Sequence, residues 1–483
     1  MQNQPSPAAE LKIHDWRSTP KLAVGVIGGL VVLAVLVGGA PLVGLSPLLF
    51  GGGVLSLFIA LVYLRSPVLA LYSAIFINLL PQGFPPDAIQ SNGALALLFL
   101  SLVFWVLQTG FQRRKLVWTP PLLLILGFLL WAFVTILWAN DLVVSRQTFV
   151  QFAIVTIIAF LMVNQVDSPA AVDGLMTALL LSGWLLIVLG LWTVFFGGYT
   201  LGDRLQIFDM NENLLGPLLM LATTGAVWRV MRAPAQTKKF WMCLSLLYIV
   251  CALALIALSG SRGSFIGFGL ILLLFLMSKA TRPWALWGVA IGVVGLVCAP
   301  FIFNTVLDRF TNDTEDLYGD RDVLWQASLL LLNDHPWTGV GIGNGPYIML
   351  NYVNTVSDTD HIGQFTTRPA HNPLLEVADD TGLIGLALYL SALGSALWLF
   401  LQQFYRAWRQ RAAFWSAYGA LVFYISIGFI SAWLKSGGLA NHVTLFILLA
   451  LWLIPYRMQA YPAANQASGQ SVSRFTPYLP VRK

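Results

Sequence analysis

Apolar runs long enough to cross a bilayer recur along almost the whole chain, and no other feature limits its fold so severely. A hydrocarbon core of about 30 Å needs roughly 20 apolar residues per helix, and only helices or closed barrels satisfy every backbone group inside it. These runs are continuous and not alternating, which selects helices over barrel strands. Spans are expected near 22–39, 43–64, 67–80, 93–109, 120–138, 147–165, 172–196, 213–231, 240–259, 263–280, 283–303, 381–402, 413–434 and 440–456. The chain is therefore read as an all-α, polytopic transmembrane bundle of about 12–14 spans. With 58% hydrophobic and 10% charged residues among 483, it has too little polar surface for a soluble globule of that length. The first run follows Lys12, Arg17 and Lys21 but lacks a clear small-residue cleavage site, so it reads as a retained helix. Cys243, Cys251 and Cys298 all fall within spans, where a small apolar role suits them better than a disulfide or metal motif.

Charge orients the spans. If both termini are cytoplasmic, the fourteen-span phase puts 20 of the 27 basic residues inside. Arg146, Arg204, Arg262, Arg309, Arg321, Arg368 and Lys435 remain outside, with 17 of the 21 acidic residues. That division is the positive-inside bias. The net charge of +6 then reports orientation, and no nucleic-acid partner is implied. The expected organisation is eleven spans in 1–303, one outer polar loop at 304–372, three spans in 373–456 and a disordered cytoplasmic tail at 457–483.

Outer arginines are scarce, and they stand at span ends beside glycine, asparagine and histidine. Arg262 lies in Ser259-Gly-Ser-Arg262-Gly-Ser264, a tight turn between spans where a guanidinium and helix N-terminal amides can face one anion. The structural alternative is an arginine snorkelling to lipid phosphate. Arg204 precedes Asn211 and Asn213, residues that equally suit helix caps. Arg321 begins an amphipathic stretch, Arg321-Asp-Val-Leu-Trp325, expected as an interfacial helix; a local pair with Asp320 or Asp322 is the plainer reading.

Further along the loop, Gly339-Val-Gly341-Ile-Gly343-Asn344-Gly345 predicts a backbone-dense turn, without the spacing of a dinucleotide fingerprint or a P-loop. The acidic run from Asp313 to Asp322 lacks EF-hand spacing and reads as a solvated face. His335, followed by Pro336, is expected to shape its turn, and His442 to sit at a span end. His371 is the sharpest candidate. With Asn372 it precedes a helix expected from Pro373, carrying Glu376, Asp379 and Asp380, and a carboxylate there can tune an imidazole that accepts a proton near neutral pH.

In this order, these pieces resemble the O-antigen ligase and O-antigen polymerase superfamily of bacterial membrane proteins. The resemblance spans about 200–400 and rests on Arg204 with Asn211 and Asn213, the Ser-Arg262-Gly turn and Arg321 with Trp325. It continues through His335-Pro336, the glycine run ending at Asn344, and His371-Asn372 with Glu376, Thr381, Gly382 and Gly385. It implies a fold similar to the large GT-C-type membrane glycosyltransferases and a metal-independent, inverting transfer with no cofactor, at the periplasmic face of the inner membrane. The implied donor is a glycan on polyprenyl diphosphate, and the implied acceptor is lipid A core or another glycan. Arg262, Arg321 and His371 match the family's catalytic positions, with Arg204, Asn211, Asn213, His335, Asn372 and Glu376 at substrate-binding ones. Polymerases share the pattern, and some relatives are linked to inorganic-carbon uptake, so a bicarbonate transporter is the alternative. Transport predicts charged residues deep in the spans, and these are nearly absent.

Overall fold

The structure, a computed structural model, describes residues 61–81, 87–112, 116–200, 204–208, 210–277, 321–356, 370–434 and 440–460, with isolated positions between 282 and 290. The spans expected at 22–39 and 283–303, nearly all of that at 43–64, the acidic run from Asp313 through Asp320, and the tail beyond 460 lie outside the described residues. The chain divides after Ser66 into two compact units, and the helices below belong to the second.

Every element among the described residues of that unit is helical: α1 (Pro67–Asn78), α2 (Asp87–Gln112), α3 (Pro120–Thr135), α4 (Leu142–Gln165), α5 (Pro169–Phe196), α6 (Glu212–Arg232) and α7 (Ala235–Leu258). There follow α8 (Arg262–Phe275), α9 (Arg321–Asp334), α10 (Gly345–Val356), α11 (Pro373–Arg409), α12 (Ala413–Trp433) and α13 (Ala440–Ala460). Among the described residues, eight helices are long and apolar enough to cross a membrane, and three shorter apolar ones accompany them. The protein is a polytopic, all-helical membrane protein.

Local chemistry explains where the helices start. Thr119 and Ser168 cap α3 and α5, each with proline at the first helical position, and Asp141 accepts from the amides of Val143 and Val144 at 2.8 and 3.1 Å. These side chains satisfy amides that otherwise have no intrahelical partner. That is why α4 begins at Leu142, several residues before the apolar run itself.

Packing follows the sequence closely at one side of the bundle, where α5 lies on α6 and α6 on α7, and crosses it elsewhere: α3 on α11, α4 on α13, and α8 and α6 on α12. Helix α6 is buried along nearly its whole length. Small residues allow the closest crossings: a Cβ on Gly267 would stand 2.5 Å from the carbonyl of Gly428. Without hydrophobic drive between helices in lipid, such backbone approach is a main source of association. On the outside the apolar residues remain exposed, Leu137 at 83% and Leu130 at 60%, as a lipid-facing surface requires.

Helices α9 and α10 form a small core of their own, with Leu324, Ala327, Met349 and Val353 closed by Ala370. Leu324, Ala327, Ser328 and Leu331 share one buried face of α9, while Leu329 and Leu330 are exposed on the other. The amphipathic helix expected here is present.

Candidate functional site

The site begins where α7 turns into α8. Gly260 takes a positive φ of 64° in this turn, and Ser261 starts α8 without a side-chain cap, so Arg262 stands in an opening turn that Ser261 does not close. Arg204 reaches the same turn. Its Nε donates to the carbonyl of Ser259 at 3.0 Å, one terminal nitrogen donates to Asn213 Oδ1 at 3.1 Å, and the other lies 3.7 Å from Glu212. Asn211 caps α6 by accepting from the Asn213 amide at 2.9 Å. Of the two asparagines, Asn211 is thus a helix cap, and Asn213 an anchor for Arg204.

Arg321, the first residue of α9, completes a cluster of three. Partial burial depresses its pKa, and the positive fields of Arg204 and then Arg262 lower it further. Guanidinium stays protonated regardless, so the shift measures crowding of like charge in a partly desolvated place. Oδ1 of the neighbouring Asp322 accepts from the amide of Val323 at 2.9 Å. An anion with several oxygens would relieve the crowding of the three arginines.

One helical turn along α9, Trp325 Nε1 donates to the carbonyl of Ala370 at 2.9 Å, which brings the segment bearing His371 to the Arg321 helix. His371 has a φ of 51°, a left-handed conformation uncommon outside glycine. Asn372 then caps α11, accepting from Leu374 at 3.1 Å and Leu375 at 3.5 Å, and Pro373 opens the helix as expected. Glu376, half-buried, lies in the first turn. His335 is exposed; its amide and carbonyl bond Leu331 and Gly339 at the end of α9, so its backbone shapes the turn.

The glycine run is a lock and not an anion cradle. Gly339, Gly341 and Gly343 all have positive φ, and the run threads between α11 and the α3–α4 junction. Asn344, 1% exposed, accepts from the Asp141 amide at 2.8 Å and donates to Ser145 Oγ at 2.7 Å. On the other side, α11 breaks at Gly382, whose φ of 67° and ψ of −174° are essentially glycine-only. A Cβ there would meet the Trp337 carbonyl at 2.3 Å. The break lets Leu383 N reach Pro336 O at 2.7 Å.

Sequence reasoning treated Asp379 and Asp380 as interchangeable neighbours of His371, and the structure separates them. Asp380 accepts from the amides of Gly343 and Gly345 at 2.7 and 2.8 Å, holding the glycine run and the start of α10. Asp379, 2% exposed, accepts from Ser328 Oγ at 2.6 Å and ties α9 to α11. A run of turn amides needing acceptors was the available signal. His442, expected at a span end, stands near the start of α13 but is buried, its Nδ1 2.8 Å from the Tyr389 hydroxyl. It faces a cavity of about 230 Å³ bounded by α3, α4, α11, α13 and the glycine run.

Charge is thus segregated: arginines crowd around the start of α9, and carboxylates of α11 line the cavity. The O-antigen ligase family model matches residues 247–390, which include Arg262, Arg321, His335, His371, Asn372 and Glu376. A Rickettsia conorii protein provisionally named a polysaccharide ligase is 23% identical over 59% of this chain and 69% of its own. A likewise named Rickettsia felis protein is 24% identical over 71% of this chain and 82% of its own. Over this stretch the chain is similar to the O-antigen ligase superfamily. The region matched to the O-antigen ligase family starts within α7, so Arg204, Asn211 and Asn213 precede it although Arg204 is bonded to the Arg262 turn. A chain from a solved peptidoglycan synthase complex aligns at 16% identity over 71% of this chain and 98% of itself, at a TM-score of 0.37, too low to carry weight.

Proposed function

We infer that the protein is a glycosyltransferase that moves a glycan from polyprenyl diphosphate to lipid A core or another glycan. The observation that supports this is the crowding of Arg204 and Arg262 around the half-buried Arg321. Three guanidiniums in a partly desolvated place suit a diphosphate, whose charge grows as the glycosidic bond breaks. The Trp325–Ala370 bond, which ties the residue before His371 to the helix that Arg321 opens, supports it further.

The acceptor hydroxyl attacks the anomeric carbon from the face opposite the diphosphate, forming the new C–O bond with inversion. The electron pair of the old C–O bond departs with the diphosphate, onto Arg262 and Arg321. The hydroxyl proton passes to neutral His371, and Asn372 and Glu376 orient the segment. No metal is needed in this scheme, because arginine carries the leaving-group charge. The 20-to-7 division of basic residues supports an inner-membrane protein with cytoplasmic termini and the 304–372 loop at the periplasmic face.

The test is transfer by purified protein in lipid, with a polyprenyl-diphosphate glycan and candidate acceptors, including a chelator control. A glycosylated acceptor with inverted anomeric configuration, formed equally with EDTA, is expected. Bicarbonate flux in proteoliposomes without any transferred glycan would contradict the reading.

A further inference from the structure

The cavity lined by the first turns of α11 has a chemistry unlike that of the arginine cluster. Glu376 and Asp380 line it, with no lysine or arginine among the described lining residues. A diphosphate would meet these two carboxylates there. Phe128, Phe152 and Tyr347 supply aromatic surface, and His442 contributes a ring whose Nδ1 is engaged by Tyr389. Flat aromatic surface with fixed hydrogen-bonding groups is what a sugar ring requires, apolar C–H faces and a rim of hydroxyls.

Asp380 is well prepared for hydroxyl donors. Two backbone amides fix its carboxylate, one on each oxygen, and an ionised carboxylate has about four acceptor sites, so about two remain. His442 Nε2 is the ring nitrogen not bonded to Tyr389. The volume of about 230 Å³ lies below the roughly 300–1,000 Å³ of pockets for drug-sized ligands, which suits one ring and not a chain. Glu376 follows Asn372 by four residues of helix, about 6 Å of rise. A ring in the cavity therefore has its edge about one sugar from the His371 segment.

We propose that this cavity binds the terminal sugar of the acceptor glycan, a neutral or amino sugar, separately from the diphosphate-holding arginines. The assignment to the acceptor rests on the transferase reading above; the binding of a sugar does not. The cavity holds the ring by its far edge and leaves one hydroxyl directed at His371.

The experiment uses the full chain in lipid nanodiscs and ligand-detected saturation-transfer NMR. The probes are the methyl glycosides of glucose, galactose, glucosamine and N-acetylglucosamine, with farnesyl diphosphate as a separate probe of the arginines. At least one glycoside is expected to receive saturation from the wild type. Val377→Phe, which fills the cavity from α11, should reduce that signal at least tenfold while farnesyl diphosphate still binds. Glu376→Gln keeps the shape, so if Val377→Phe fails to fold it provides the test, and it should weaken glycoside binding several-fold. Absence of saturation transfer to every glycoside overturns the proposal, as does wild-type binding by both variants. Glycoside binding without any farnesyl diphosphate binding would keep the sugar site and contradict the transferase reading.

Discussion

Ser328 donates a 2.6 Å hydrogen bond to the buried carboxylate of Asp379, and this contact joins the helix that carries Arg321 to the helix that follows His371. Its position makes it a clamp between the two halves of the site. Ser328→Ala should weaken the docking of α9 by about 1–3 kcal/mol, because it removes a donor from a buried carboxylate. Limited proteolysis between 321 and 356 should accelerate in the variant; unchanged cleavage would show that α9 is held by its apolar face alone.

Two glycines of α11 should respond in opposite ways to the same substitution. Gly382→Ala forces a side chain into a glycine-only conformation, costing about 1–3 kcal/mol before its contact with Trp337 is counted. Gly394→Ala meets nothing within 4 Å and should be stabilising by about 0.5–1 kcal/mol. Thermal unfolding in detergent compares them, and equal effects would remove the kink from the account.

Asn344 can be tested by charge. Asn344→Ala loses bonds to the Asp141 amide and Ser145, about 2–3 kcal/mol in total. Asn344→Asp should cost more, since its second oxygen would face the carbonyls of Asp141 and Ile342 that now accept from the amide. A milder effect for the aspartate would contradict the assigned orientation of the amide.

His371 combines a backbone demand with a chemical one, and substitutions separate them. Asparagine tolerates positive φ, whereas β-branched valine does not. His371→Asn should keep wild-type stability and His371→Val should lose about 1–2 kcal/mol. Both should abolish transfer, as neither supplies the imidazole. Transfer retained by His371→Asn would show that the residue is there for its backbone.

How much of this was legible in the sequence depends on the distance over which each signal acts. Spans are local, and the described ones overlie the apolar runs, although α2, α4, α7 and α11 start several residues earlier and α11 runs on to Arg409. Arg262 and Arg321 stood out because arginine is scarce beside the apolar runs. The roles of Asp379 and Asp380 could not be told apart, because their partners lie 51 and about 36 residues away, beyond the reach of any local pattern. The Gly382 break was equally silent, since a glycine in a span reads as a packing site until Trp337 and Pro336 are seen against it. His442 looked like a span-end residue, and only the fold supplies Tyr389.

The central claim is a division of labour: arginines hold the lipid diphosphate and His371 takes the proton. Binding of a polyprenyl-diphosphate glycan, measured beside single-turnover transfer in wild type, Arg321→Ala and His371→Ala, tests it most directly. Arg321→Ala should weaken donor binding at least tenfold, about 1.4 kcal/mol or more. His371→Ala should bind the donor as the wild type does and lose transfer by about 100-fold or more, the scale of general-base catalysis. Undiminished transfer by His371→Ala, or unchanged donor binding by Arg321→Ala, would contradict it.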